Sequence, residues 1–244
     1  KYGRLLRVQQ FIKMKIVEQF TTIQGEGKYV GVPSYFIRTT GCNLRCEWSN
    51  PDKTTTKCDT PYTSWEPEKG EDLRIEYKNI PKNIEHIVIT GGEPILQKDL
   101  GNIAKGFIED NYKVTVETNG TKYVNMPNVY MSISPKLKSS YPLEGDAWML
   151  HTKNNKFVEP ISKYIKNNDY QLKFVVNSKK DIKEILRLKD TLTVPNDKIY
   201  LMSQGISKEQ FKERQKTIFD LCIEYGFNYT PRLHIDIFGN KRKI

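Results

Sequence analysis

His86-Ile87-Val88-Ile89-Thr90-Gly91-Gly92-Glu93-Pro94 is a short apolar run that ends in a glycine turn. Consecutive apolar residues without polar alternation suit a strand buried on both faces, as in a parallel sheet. Outward from it, similar runs occupy residues 15–20, 34–39, 113–117, 129–133, 171–176 and 198–202. Between them, Leu100-Ile103-Phe107, Ile182-Ile185-Leu186 and Phe211-Ile218-Leu221 carry apolar residues at the helical period. Strands alternating with helices imply parallel crossovers, so the expected fold is α/β, an open or partial (β/α) barrel. In such folds the loops at the carboxyl ends of the strands build the site. Four polar segments fall there: Thr90 to Pro94, Glu117-Thr118-Asn119-Gly120, Ser134-Pro135-Lys136 and Met202-Ser203-Gln204-Gly205.

A chain of 244 residues without an internal linker suits a single domain over residues 14–244. Residues 1–13 are basic and lack the apolar core of a secretory signal, so they read as an N-terminal extension or remnant ahead of Met14. No run approaches the ~20 apolar residues of a membrane span. Lys and Arg number 39 against 29 Asp and Glu, a net charge of +10. The lysines are scattered, which describes a solvated surface better than a nucleic-acid footprint.

Of the four cysteines, Cys42, Cys46 and Cys58 are close in sequence, which favours metal or cluster ligands in a reducing, cytoplasmic setting over a disulfide framework. Cys222 falls on the apolar period of a helix and reads as core. Three thiolates can bind three irons of a four-iron cubane and leave the fourth open to a ligand that is not protein. A zinc knuckle is the bland alternative, but structural zinc sites take four protein ligands and no fourth Cys or His lies nearby.

Cys42-Asn43-Leu44-Arg45-Cys46 has the first spacing of the radical S-adenosylmethionine enzymes, whose usual third cysteine follows two residues later, where Ser49 stands. Omitting residues 49–57 restores Cys-Glu-Trp-Cys-Asp-Thr and makes Cys58 the third ligand. The omitted stretch is polar and contains Pro51, the composition of a solvated surface excursion. The competing reading makes Ser49 the mark of a dead site and Cys58 an ordinary thiol. Thr22-Ile23-Gln24-Gly25-Glu26-Gly27, Pro33 to Arg38, the cysteine loop, Thr-Gly-Gly-Glu-Pro, Glu-Thr-Asn-Gly, Ser-Pro-Lys and the late Pro231-Arg232-Leu233-His234-Ile235 occur in order. This set resembles the 7-carboxy-7-deazaguanine synthases over nearly the whole chain.

The resemblance implies a partial barrel of the radical S-adenosylmethionine type, and conversion of 6-carboxy-5,6,7,8-tetrahydropterin to 7-carboxy-7-deazaguanine with loss of ammonia. The product would serve queuosine, archaeosine or a modified DNA base. It also implies a [4Fe-4S] cluster on Cys42, Cys46 and Cys58, S-adenosylmethionine cleaved to a 5′-deoxyadenosyl radical, and Mg2+ on Thr60. Gly91 and Gly92 would let the backbone approach the methionine part of the cofactor, and Glu93 would accept from its ammonium. Asp59, Glu117, Ser134, Pro135, Lys136 and Met202, Ser203, Gln204, Gly205 would complete cofactor binding. Ile23, Gln24, Gly25 and Thr90 would contact the pterin, and Arg38 its carboxylate. An electron donor such as flavodoxin or ferredoxin and a homodimer are further implications. Ser203 and Gln204 depart from the family's frequent Met-Pro-Glu-Gly, as do Phe238 and Lys243 in the tail.

Each residue has a plainer reading: Gly-Gly as a turn, Arg38 as a surface cation, the strand-end polar residues as ordinary loop, and His86 as structural. Two other functions remain open at this stage. A radical activase acting on a partner protein shares the cluster motif but not Gln-Gly-Glu-Gly or Cys-Asp-Thr. A basic metal-stabilised binding module would hold zinc and no iron.

Overall fold

The computed structural model describes residues 14–71, 79–239 and 241–243. The reading of residues 1–13 therefore lies outside the described residues. Eight strands form one open sheet: β1 (Ile16–Ile23), β2 (Pro33–Thr39), β5 (His86–Gly91), β6 (Lys113–Thr118), β7 (Tyr130–Ile133), β8 (Tyr170–Val176), β9 (Ile199–Ser203) and β10 (Asn228–Tyr229), side by side in that order. From β2 onward every pair is parallel. β1 and β2 run antiparallel, a departure from the all-parallel expectation. The reason is the link over residues 24–32, which is too short for a parallel crossover. The sheet does not close, as an open or partial barrel requires.

All seven apolar runs are strands. Ile87, Val88 and Ile89 of β5 are fully buried, as a strand covered on both faces must be. The helical periods appear as α2 (Leu100–Glu109), α5 (Ile182–Leu192) and α6 (Lys208–Tyr225). On these, Leu100, Ile103, Phe107, Ile185, Leu188 and Ile218 enter the same core as the sheet. Four further helices are α1 (Pro61–Ser64), α3 (Gly145–Asn154), α4 (Val158–Asn167) and α7 (Leu233–Phe238). Among the described residues no helix is long and apolar enough to cross a membrane.

Residues 49–57 are more ordered than a solvated excursion. They belong to a two-stranded hairpin of β3 (Glu47–Ser49) and β4 (Thr55–Lys57), with Trp48 opposite Thr56. Trp48 and Thr56 are buried while Ser49, Thr55 and Lys57 are exposed, the alternation of a strand pair with one covered face. Asp52 closes the turn by accepting from the Thr54 amide at 3.0 Å. The hairpin docks through Asn177, which donates to the Ser49 carbonyl at 3.2 Å, and through Arg214, which donates to Asn50 Oδ1 at 3.4 Å.

Candidate active site

One cavity opens at the carboxyl ends of the strands and is lined by Cys42, Cys46 and Cys58 together. Leu44, Trp48 and Val175 pack around the thiols and make that wall apolar. Burial pushes the Cys42 thiol up to about 12, with the Glu93 carboxylate adding to the effect, and burial also raises Cys46. Protonated thiols in a dry wall give up their protons when a metal takes them. Among the described residues no three His, Cys, Asp or Glu side chains converge on a point where one ion would sit. A multi-iron cluster, in which each thiolate meets its own iron, needs no such point. The Trp48 indole N–H and Gln204 Oε1 are buried in the cavity wall without partners. Unspent polar atoms beside three thiols fit a cluster and a polar cofactor.

The Gly-Gly-Glu segment is bound to the chain just ahead of Cys42. Gly92 N–H donates to Thr39 O at 3.2 Å and Glu93 N–H to Gly41 O at 2.8 Å. A Cβ on Gly91 would come within 2.4 Å of Thr39 O, and one on Gly92 within 2.3 Å of Gly41 O. Both positions require glycine because the protein's own backbone approaches there. Gly91 and Gly92 still line the cavity. Glu93 does not. It lies behind the wall, fully buried, and its carboxylate accepts from Ile95 N–H (3.1 Å), Thr118 Oγ1 (2.8 Å) and Asn119 N–H (2.6 Å). With these bonds in place it braces the loops behind the cavity wall. Pro135 and Ser203 are likewise outside the lining, whereas Ser134, Lys136, Met202, Gln204 and Gly205 are in it. Lys136 donates to Ser134 Oγ at 2.8 Å.

A chain of buried charges forms the opposite wall. Gln24 donates to Glu117 Oε1 at 3.2 Å, and Thr90 to Glu117 Oε2 at 2.8 Å. Lys173 bonds to Glu26 and stands 3.9 Å from Glu117. Arg232 reaches Glu26 at 3.1 Å, the Gly205 carbonyl at 2.7 Å and Asp59. Burial alone would raise Glu26, but Lys173, Arg232 and His234 outweigh it and hold the carboxyl well below the carboxylate range. Arg232 thereby joins three segments quoted from the sequence: Gln-Gly-Glu-Gly, Cys-Asp-Thr and the loop after β9. Gly25 is glycine because a Cβ would meet His234 Nδ1 at 2.6 Å. Ile23 and Gly25 line the cavity beside it.

At the mouth, Arg38 donates through Nε to Glu18 at 2.7 Å. Glu18 also accepts from Tyr62 at 3.0 Å and from Arg242 at 3.3 Å. Arg242 stacks 3.7 Å above the Tyr62 ring and pairs with Glu68 at 2.8 Å. Thr60 lines the cavity, and its side chain makes no cap bond to α1. A free hydroxyl of this kind suits a hard cation.

The Radical SAM superfamily model matches residues 36–130. The 7-carboxy-7-deazaguanine synthase of Halobacterium salinarum is 34% identical, with 93% of this chain and 91% of that protein covered. The synthase of Rhodopirellula baltica is 37% identical over 93% of this chain and 87% of its own length. This chain belongs to the 7-carboxy-7-deazaguanine synthase family. The crystal structure of QueE from Escherichia coli shares the fold at a TM-score of 0.64 and 22% identity, covering 96% of this chain and all of that one. The chain is therefore a radical S-adenosylmethionine enzyme of that family.

Glu18, Glu26, Lys173, Arg232, His234 and Arg242 also line the cavity, although the sequence assigned them no role. Signals existed for some of them. Lys173 interrupts the apolar run at 171–176, and Glu26, Arg232 and His234 sit inside quoted motifs. Glu18 carries no such mark, since an acid on a strand usually faces water.

Proposed function

We propose that this chain converts 6-carboxy-5,6,7,8-tetrahydropterin to 7-carboxy-7-deazaguanine with loss of ammonia. The observation that carries the reading is one cavity holding a three-cysteine apolar wall opposite a buried wall of Gln24, Glu117, Thr90 and Glu26. Cys42, Cys46 and Cys58 would hold a [4Fe-4S] cluster, which together with S-adenosylmethionine would supply the radical chemistry that removes a hydrogen atom from the substrate. The protein binds and orients. Gln24 and Glu117 offer an amide and a carboxylate to the ring edge, and the Lys173 ammonium stands 3.9 Å from Glu117. The terminal nitrogens of Arg38 meet the substrate carboxylate while Glu18 fixes its Nε. Gln204, Ser134 and Lys136 supply polar contacts to the cofactor. Apolar Leu44, Trp48 and Val175 keep water from the cluster side.

Mg2+ would sit on Thr60, completed by the substrate carboxylate and water, since one hydroxyl cannot hold the ion alone. A flavodoxin or ferredoxin is the expected electron donor, a homodimer the expected assembly, and the cytoplasm the expected compartment. The four free thiols support that compartment. Anaerobically reconstituted protein incubated with the carboxy-tetrahydropterin, S-adenosylmethionine, Mg2+ and a reductant should yield 7-carboxy-7-deazaguanine by mass spectrometry. Cleavage of S-adenosylmethionine without that product would overturn the substrate assignment.

A further inference from the structure

Six consecutive carbonyls of the cysteine loop, from Gly41 to Cys46, are each taken by a donor outside the cavity. Glu93 N–H takes Gly41 O at 2.8 Å. Arg45 Nη1 spans Cys42 O and Leu44 O, both at 2.9 Å. Asn154 Nδ2 takes Asn43 O at 3.0 Å, and His151 Nδ1 takes Arg45 O at 2.5 Å. Trp65 Nε1 at 3.2 Å and Cys58 N–H at 3.1 Å share Cys46 O. In a trans peptide the C=O of one residue and the N–H of the next point in opposite directions. Turning these carbonyls outward therefore turns the N–H groups of residues 42–46 toward the thiols. Leu44 N–H already points at Cys42 Sγ, at 3.4 Å. Among the described residues no protein acceptor takes the N–H of Cys42, Asn43, Arg45 or Cys46. Donors left unspent beside three thiols are suited to the sulfurs of an anionic cluster.

Two of the outer donors come from a single distant element, α3. His151 is fully buried, and because a carbonyl only accepts, its proton must sit on Nδ1. Its Nε2 has no partner and its ring packs 4.4 Å from Tyr141. The ring's one hydrogen bond is thus to the cysteine loop. We propose that His151 and Asn154 are positioning residues for the cluster: they hold the loop's carbonyls outward so that its amides face the sulfurs, and so set the cluster's reduction potential and its retention of iron. Hydrogen bonds to sulfur stabilise the more negative reduced state, so losing them lowers the potential.

This inference rests on the reading of Cys42, Cys46 and Cys58 as cluster ligands. The test uses the anaerobically reconstituted full chain, with an EPR-monitored redox titration and the rate of iron release to a chelator. His151→Phe keeps the contact with Tyr141 and removes the donor, whereas His151→Asn keeps an N–H near the position of Nδ1. Trp148→Ala, on the exposed side of α3, is the control. His151→Phe and Asn154→Leu should retain three-thiolate cluster uptake, titrate at a more negative potential and release iron on the order of 10-fold faster. His151→Asn should restore both values. Wild-type potential and release in folded His151→Phe and Asn154→Leu would overturn the proposal, as would His151→Asn behaving like His151→Phe. If His151→Phe does not fold, Asn154→Leu decides alone. A wild-type chain that takes up no cluster overturns the ligand reading and the clamp with it.

Discussion

At the proposed third ligand position Cys58 and Ser49 differ in which side chain reaches the cavity. Cys58 lines it and Ser49 is exposed on the hairpin, with its backbone carbonyl bound by Asn177. Cys58→Ala should abolish cluster assembly and Ser49→Ala should leave it intact, measured as iron and sulfide per chain. The reverse pattern would make the inserted-loop reading wrong. Thr60→Ala should lower product formation while sparing the cluster and S-adenosylmethionine binding, and Mg2+ should bind weakly until substrate is present. Equal Mg2+ affinity with and without substrate, by calorimetry, would rule out a shared site. Gly92 carries a different constraint. A Cβ there would lie 2.3 Å from Gly41 O and 2.6 Å from Thr63 O, both backbone atoms that cannot rotate away. Gly92→Ala should therefore cost at least about 1–3 kcal/mol in thermal unfolding and impair cluster uptake, because the strain falls on the residue next to Cys42.

The hairpin of β3 and β4 lies between Cys46 and Cys58, the second and third proposed cluster ligands. Its base is closed by Cys58 N–H donating to Cys46 O at 3.1 Å, so the two flanking cysteines are already neighbours. Deleting residues 49–57 should leave a folded chain that still assembles the cluster, less stable by about 1–3 kcal/mol for the few hydrogen bonds to Asn177, Arg214 and Gln210. A deletion variant that is insoluble or holds no iron would show the hairpin to be an integral wall. The seven longer strands were legible because each carries two or more apolar residues, consecutive as in Ile87-Val88-Ile89 or alternating as in Val114-Thr115-Val116. The hairpin was not, because Trp48 is the one large apolar residue on its strands and Pro51 and Asp52 read as loop. α3 escaped for a related reason: Trp48's exposed counterparts there, Trp148 and Met149, face outward while polar His151 and Asn154 face in, so its period carries no core signal. β10 is only two residues long. Within the site, the motifs placed the loops, but the partners of Glu26 lie 147 and 206 residues away in the chain and no local pattern encodes such pairs.

Over the whole molecule the excess of positive charge and the buried acids separate. Glu18, Glu26 and Glu93 are inside, the first two paired with Arg or Lys and the third held by hydrogen bonds, while the described lysines other than Lys173 are exposed or half-buried. The three histidines are also inside, and burial depresses all of them. His86 is the clearest case, 2% exposed between Ser34 Oγ and Thr115 Oγ1, each at 2.8 Å. Burial pushes it down to about 4, with Glu117 opposing and Lys113 adding. The unfolded chain takes up a proton on this ring near pH 6.5, whereas the folded chain resists until about pH 4. Between those values the unfolded state binds more protons, so stability is full above pH 6.5 and declines as the pH falls toward 4. The ring alone accounts for at most about 3 kcal/mol over that interval, at 1.36 kcal/mol per pH unit. Glu26, held low by Lys173 and Arg232, adds a second loss that begins only below the ordinary glutamate range. Melting temperature should therefore fall in two stages on acidification, the first starting near pH 6.5. His86→Gln, which keeps hydrogen-bonding capacity between Ser34 and Thr115 without a titrating ring, should flatten part of the first stage and leave the second. An unchanged profile in that variant would assign the first stage to other groups.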